Sequence, residues 1–337
     1  MKRKIWVDFT NTPHVHFLIP IMLYFKGSFT YYVTVRDFSE TVSLLKYYGI
    51  DAKVIGKHQG KKRINKIKGV INRNIGLLRT LPSFDIGMAV GGINASQICG
   101  FLNKPLLTFA DNETSDGVFT FPSYLFCPNS IPQEKFVNSG YKPTHISQYN
   151  GLKEDIYIAN FIPNKQFVET SLPFDNYVLV RPENLKADYV EYGTKTIIPE
   201  ILSHLSDNKI NVVYLPRYAS ENYYARNLKN VFIPPKTLNG LDLCYYSQGV
   251  ITGAGTLARE AALLGIPSVT VFPGKELLAV DKKLIAMRKM EHTRDPKKAC
   301  SLIYNFARKS PSRKSSQIVF KELMGLIDKR FQEILYK

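Results

Sequence analysis

Near the end of the third quarter of the chain, Gly253-Ala254-Gly255-Thr256 closes an apolar strand-like run and opens a helical one. Backbone N–H groups at a helix N-terminus attract phosphate, and glycines let it approach closely. Glu260 follows Thr256 by four residues, one helical turn along on nearly the same face, where a carboxylate can accept hydrogen bonds from a ribose diol. The pattern is neither the dinucleotide G-x-G-x-x-G of a first strand nor a Walker sequence. Near the other end, Asp8-Phe9-Thr10-Asn11-Thr12-Pro13-His14-Val15-His16 follows the first apolar run. A histidine there can serve as general base near neutral pH, can contact substrate, or can be structural. The His-x-His spacing also admits a metal if Asp111 or Glu113 supplies a third ligand. Asn11 and Thr12 of the same stretch are assigned to sugar-nucleotide contacts. Asp111-Asn112-Glu113 is read as an acid/base pair, a sugar-hydroxyl contact or a loop cap. Arg181 and Arg217 end two further apolar runs, and arginine matches diphosphate geometry.

These residues need strands that end together. Runs 4–9, 31–37, 53–56, 84–90, 104–110 and 124–128 read as strands, with helical patterns at 16–27, 39–49 and about 94–103 between them. The pattern restarts with strands at 176–182, 211–217, 230–235, 248–255 and 267–274 and helices at 195–207 and 256–265. Strands alternating with helices predict βαβ units and mostly parallel sheets. The expected fold class is therefore α/β, as two doubly wound domains facing a cleft, with ligands beyond the C-terminal strand ends. The expected domains are 1–165 and 166–337, and the helical pattern 315–337 is placed with the second.

Composition narrows the classes. At 337 residues, 45% apolar and 22% charged, the chain suits two globular domains. Four widely spaced cysteines without a CxxC pair exclude a disulfide scaffold or zinc ribbon. They read as small buried residues of a reduced, cytoplasmic chain. No apolar run is long enough to span a membrane, and the N-terminus carries no signal-peptide pattern. The net charge of +17 favours anionic partners. Residues 57–79 hold eight Lys/Arg and no acid, interleaved with Ile, Val and Leu. That is a basic amphipathic pattern suited to an anionic membrane surface, unless it is simply a solvated helix face. A nucleic-acid partner is not expected, because no recognition motif for one is present.

Taken together, WVDFTNTPHVHF, VTVRD, FADNE, YNGLKE, VLVRPE, GAGTLAREAALLGIPSV and FPGK resemble a family of archaeal and bacterial proteins grouped as a domain of unknown function 354, described as GT-B glycosyltransferases. The resemblance runs over nearly the whole chain. It implies a GT-B fold with the nucleotide-diphospho-sugar, UDP-linked by expectation, held by the second domain. The first domain would take a glycan or lipid-linked acceptor, with no bound metal and no cofactor beyond the donor.

The lipid II-forming N-acetylglucosaminyltransferases are similar at two places. Their loop histidine falls on His14, with His16 as alternative, although their loop glycines are here Phe9 to Pro13. Their ribose-binding glutamate falls on Glu260 within Arg259-Glu260-Ala261-Ala262. They also sit on a membrane through a basic, apolar patch, which implies a peripheral inner-face location for this chain. The UDP-GlcNAc 2-epimerases are similar at Arg181-Pro182-Glu183-Asn184 and at Asp111 to Glu113. Their His-Gly-Asp phrase is here Gly91-Gly92-Ile93-Asn94, which argues against epimerisation. The resulting expectation is glycosyl transfer. An epimerase-like nucleotide-sugar enzyme, with Asp111, Glu113 and Glu183 as its acids, and a non-enzymatic anion- or membrane-binding protein are the alternatives.

Overall fold

The computed structural model describes residues 2–38, 40–57, 63–113, 123–185, 190–305 and 311–335, with backbone only at 63, 64 and 66. The chain divides into two units. One comprises Met1–Tyr157 with Ile318–Lys337, the other Ile158–Gln317.

The first unit is built on a seven-stranded sheet: β1 (Arg3–Phe9), β2 (Phe29–Asp37), β3 (Lys53–Lys57), β4 (Ile86–Val90), β5 (Leu106–Phe109), β6 (Ser123–Pro128) and β7 (Ile146–Tyr149). Its order is β3-β2-β1-β4-β5-β6-β7, and every pair is parallel. Parallel sheets are covered on both faces, so their strands need no polar alternation. Ile5, Trp6, Val7 and Phe9 of β1 are accordingly all fully buried.

The terminal helix Lys314–Leu335 packs on this unit. Val319, Leu323, Ile327, Phe331 and Leu335 recur every fourth residue and enter the same core as Phe25 and Phe29. The Phe331 ring lies 4.6 Å from that of Phe29 and 5.3 Å from that of Phe25. Gly151 permits the approach, since a Cβ there would meet the Val319 side chain at 2.2 Å. The division of the chain thus differs from the expected 1–165 and 166–337. The last helix returns to the first unit because its apolar stripe is matched there, an attraction invisible in helical periodicity.

A buried ionic strut fixes the helix Arg63–Thr80. Arg73 reaches the β1 carboxylate of Asp8 with Nη1 at 2.9 Å and Nη2 at 2.6 Å. Thr34 donates to the same carboxylate at 2.6 Å, and Trp6 Nε1 donates to Thr34 at 2.8 Å. Arg73 Nε donates to the Ile55 carbonyl at 2.9 Å. Both charged side chains are almost wholly sealed from water, at 3% and 2% exposure. Such a pair is retained only with this kind of hydrogen-bond saturation.

The second unit carries β8 (Val178–Arg181), β9 (Val212–Tyr214), β10 (Val231–Phe232), β11 (Gly249–Thr252), β12 (Ser268–Thr270) and β13 (Glu291–His292). The sheet is parallel, in the order β10-β9-β8-β11-β12-β13. In both units the first strand sits centrally and the order reverses beside it, at β1/β4 and at β8/β11. Such switch points open a crevice at the C-terminal strand ends. The four cysteines are buried and free, and burial pushes the Cys127 and Cys300 thiols up to about 12. No described helix is long and apolar enough to cross a membrane.

Candidate functional site

In the second unit the expected donor residues converge. β9, β8 and β11 are neighbours, so Arg181 at the end of β8, Arg217 just past β9, and Gly253 to Thr256 past β11 share one edge. Arg181 pairs in register with Thr252, and its carbonyl accepts from Gly253 N at 3.1 Å. Arg217 Nε donates to the Pro182 carbonyl at 2.9 Å, which draws its guanidinium to the loop after β8. Its own N–H donates to Glu221 at 2.6 Å.

The helix Gly255–Leu264 starts here without a side-chain cap and without an acid in its first turn. Ala254 N donates back to Thr252 Oγ1 at 2.9 Å, which closes the turn. The first N–H groups of the helix carry its positive end and are suited to an anion. Thr256 and Glu260 are both half-buried. Arg259, the neighbour of Glu260, forms a buried pair with Asp281 at 3.0 Å, and its guanidinium lies against Gly255 at the helix start.

Glu183 explains why position 253 is glycine. A Cβ there would stand 2.5 Å from Glu183 Cα, a backbone atom that cannot yield. The Glu183 carboxylate accepts from Thr196 Oγ1 at 2.7 Å, Ile197 N at 3.2 Å and Arg294 Nη1 at 2.5 Å. Arg294 also donates to the carbonyls of Val271 at 2.8 Å and Lys195 at 2.7 Å. The acid therefore ties the loop after β8 to the end of β12 and to the helix Ile198–Asp207. Asn184 Oδ1 beside it is buried with no hydrogen-bond partner among the described residues. Arg294 escapes sequence reasoning: it lies 111 positions from Glu183 in no recognisable motif.

In the first unit the helix runs Thr12–Tyr24, not 16–27. Asn11 holds the N-cap position with extended backbone, and Pro13 lies in the first turn, where its fixed φ suits a helix start. His14 and His16 are therefore helical rather than loop residues, and two positions apart they diverge. His14 Nδ1 lies 3.1 Å from Thr10 Oγ1. His16 Nδ1 lies 3.4 Å from the Tyr48 hydroxyl, and its ring lies 5.8 Å from that of Tyr157. Their nearest polar neighbours differ, Thr10 for His14 and Tyr48 for His16. Among the described residues no group of three or more His, Cys, Asp or Glu side chains is placed to hold a metal ion.

Burial pushes the His14 imidazole down to about 3, aided by the positive charges of Lys153 and Arg36 and opposed by Asp111. His14 is thus neutral at physiological pH. In the tautomer whose Nδ1 donates to Thr10 Oγ1, Nε2 keeps a lone pair of lowered basicity. Burial also lowers His16. Asp111 pairs with Lys153 and accepts from Asn112 Nδ2 at 2.8 Å. Glu113 is half-buried at the end of this described stretch. Arg36 Nη2 donates to the Thr10 carbonyl at 3.0 Å and to Asn11 Oδ1 at 3.2 Å, holding the approach to the helix. Thr12 Oγ1 lies 3.4 Å from Thr41 Oγ1. Lys153 was not foreseen; its signal is three consecutive charges, Lys153-Glu154-Asp155, all buried.

The chain is similar to known proteins along its whole length. An uncharacterized protein of Methanocaldococcus jannaschii is 29% identical over 316 residues, covering 89% of this chain and 90% of that one. The UDP-GlcNAc 2-epimerase of the same organism, in complex with UDP-GlcNAc and UDP, superposes with a TM-score of 0.68 at 15% identity, over 96% of this chain and 99% of that one. The glycotransferase of kitacinnamycin superposes with a TM-score of 0.64 at 9% identity, over 98% and 99%. At such identities the likeness is one of fold: two parallel α/β sheets of the GT-B type. The profile of one family matches residues 3–335, and the chain belongs to that family, described as protein of unknown function (DUF354).

Proposed function

We propose that this chain is a glycosyltransferase that moves a sugar from a UDP-linked donor to a glycan or lipid-linked acceptor. The observation that carries the reading is the convergence of Arg181, Arg217 and the uncapped helix start at Gly255 on three adjacent strand ends. Those groups neutralise the diphosphate, and Glu260 receives the ribose hydroxyls. A solved structure of the same fold holds UDP-GlcNAc and UDP, which supports the choice of nucleotide. His14 is the proton acceptor of the first unit. Its Nε2 takes the acceptor hydroxyl's proton as that oxygen bonds to the anomeric carbon. The bond to the diphosphate breaks, and UDP leaves with the electron pair. Charge developing on the departing oxygen is met by fixed N–H dipoles and guanidinium groups.

Epimerisation at the sugar is the second reading, favoured by the Arg181-Pro182-Glu183-Asn184 phrase and by the epimerase fold. It needs carboxylates able to move protons. Glu183 accepts three hydrogen bonds from fixed donors, and Asp111 is held by Lys153, which weighs for transfer.

The test is product analysis with UDP-GlcNAc, with and without glycan and lipid-linked acceptors. Acceptor-dependent UDP release supports transfer. Appearance of the C2 epimer without acceptor replaces it with the second reading. Loss of His14 as His14→Gln should lower kcat by about 10²–10⁴ and leave donor affinity nearly unchanged; full turnover would remove His14 from the role.

A further inference from the structure

The helix Arg63–Thr80 is amphipathic in the wrong direction for a core helix. Its inward face carries a charge: Arg73 is buried in the pair with Asp8, beside buried Leu77 and half-buried Val70 and Asn74. Its outward face is apolar. Ile67, Ile71, Ile75 and Leu78 are 49%, 52%, 42% and 40% exposed. At about 100° per residue these four fall within one arc opposite Arg73. Lys68 and Arg79, both exposed, fall along one border of that arc with Asn72. The neighbouring helix Ile93–Phe101 extends the face. Asn74 donates to Gln97 at 2.5 Å, and Phe101, one turn beyond Gln97, is 76% exposed.

An apolar stripe of this regularity in water has a cost that a soluble surface has no reason to bear. It is not a slipped register, because the bidentate Arg73–Asp8 contact, the Arg73 Nε bond to Ile55 and the Asn94 bond to the Val70 carbonyl at 3.1 Å fix the rotation of the helix. The buried arginine thus holds the isoleucines outward. The segment 57–79 has eight Lys/Arg and no acid. Apolar side chains bordered by cations complement a bilayer carrying anionic headgroups, where a helix lies with its apolar face in the acyl boundary and its cations at the phosphates.

We infer that the outward face of the helix Arg63–Thr80, with Phe101 beside it, is a docking surface for an anionic lipid bilayer. The proposal is independent of the reaction assigned above.

The experiment is cosedimentation of the full chain with phosphatidylcholine vesicles and with vesicles containing anionic phosphatidylglycerol, across a salt series. The chain should bind the anionic vesicles and be released as salt rises. Ile71→Ser/Ile75→Ser should weaken binding by about tenfold or more, with the thermal midpoint unchanged because both side chains are exposed. Lys68→Gln/Arg79→Gln should weaken it and flatten the salt dependence. Absence of binding at low salt overturns the proposal, as does binding that ignores the isoleucine change. Two further results overturn it by naming another occupant. One is self-association abolished by Ile71→Ser/Ile75→Ser without vesicle binding. The other is oligonucleotide binding that both variants weaken while vesicles stay unbound.

Discussion

Each unit sets an acid against an arginine at its first strand, and the two pairs serve different ends. Asp8 lies within β1, and its pair with Arg73 is closed on both sides, at 2% and 3% exposure. Glu183 lies two residues past β8. Its own side chain is fully buried, but its partner Arg294 is 29% exposed. The first pair anchors a helix. The second shapes a loop, because Glu183 presses on Gly253 and braces the turn that opens the helix Gly255–Leu264. An acid–arginine pair inside a strand is thus a strut of the fold, whereas the same chemistry just beyond a strand end braces the turn that opens the next helix.

That contrast is sharpest under substitution. Asp8→Ala leaves the Arg73 guanidinium buried and unpaired, and removal of one partner from such a pair costs about 3–5 kcal/mol. Chemical denaturation should show a larger loss of stability for Asp8→Ala than for any change at the second pair. A loss under about 1 kcal/mol would mean that water enters the pair. Gly253→Ala should act mainly on ligand. Its Cβ would collide with Glu183 Cα, so the loop must shift, and we expect about a 10- to 100-fold loss of UDP affinity from displaced N–H donors, on the scale of about 1.5–3 kcal/mol for hydrogen bonds to a charged group. Calorimetric titration of folded Gly253→Ala with UDP measures it, and wild-type affinity would separate the turn from the diphosphate. Glu183→Gln keeps the shape and removes the charge facing Arg294. It should cost about 1–3 kcal/mol of stability, less than Asp8→Ala, and an equal or larger cost would erase the distinction between the two pairs.

A further effect is one of pH. His14 has its folded value depressed to about 3 from 6.5. The unfolded chain therefore takes up a proton below about 6.5 that the folded chain refuses. Stability from this group is full above 6.5 and falls as pH drops toward 3. The thermal midpoint of His14→Gln should decline less than that of the wild type between pH 7 and pH 4. Parallel curves would place His14 in a wetter setting.

Much of this arrangement is legible in the sequence where one residue type can do one thing. The apolar runs of β1, β4, β8 and β11 mark buried parallel strands, and Gly253 to Thr256 marks a tight turn into a helix. Other features depend on partners distant in the chain. Arg294 bonds Glu183 across 111 positions and Arg73 bonds Asp8 across 65, and neither arginine differs in local pattern from a surface one. The helix at Thr12 begins earlier than its apolar periodicity because Pro13 fits a first turn, and this early start separates His14 from His16. Periodicity alone leaves the stripe from Ile67 to Leu78 open between a membrane-facing and a core-facing role; the buried Arg73 shows that it points outward.

The proposed donor site is the edge formed by β9, β8 and β11, with the nucleotide diphosphate at the strand ends and its ribose at Glu260. Calorimetric titration of UDP into the wild type and Glu260→Ala tests it most directly. Saturable binding by the wild type and a loss of about 10- to 100-fold in the variant, the scale of a charged hydrogen bond, are expected. No binding of UDP to the wild type, or equal affinity in the two proteins, would contradict it.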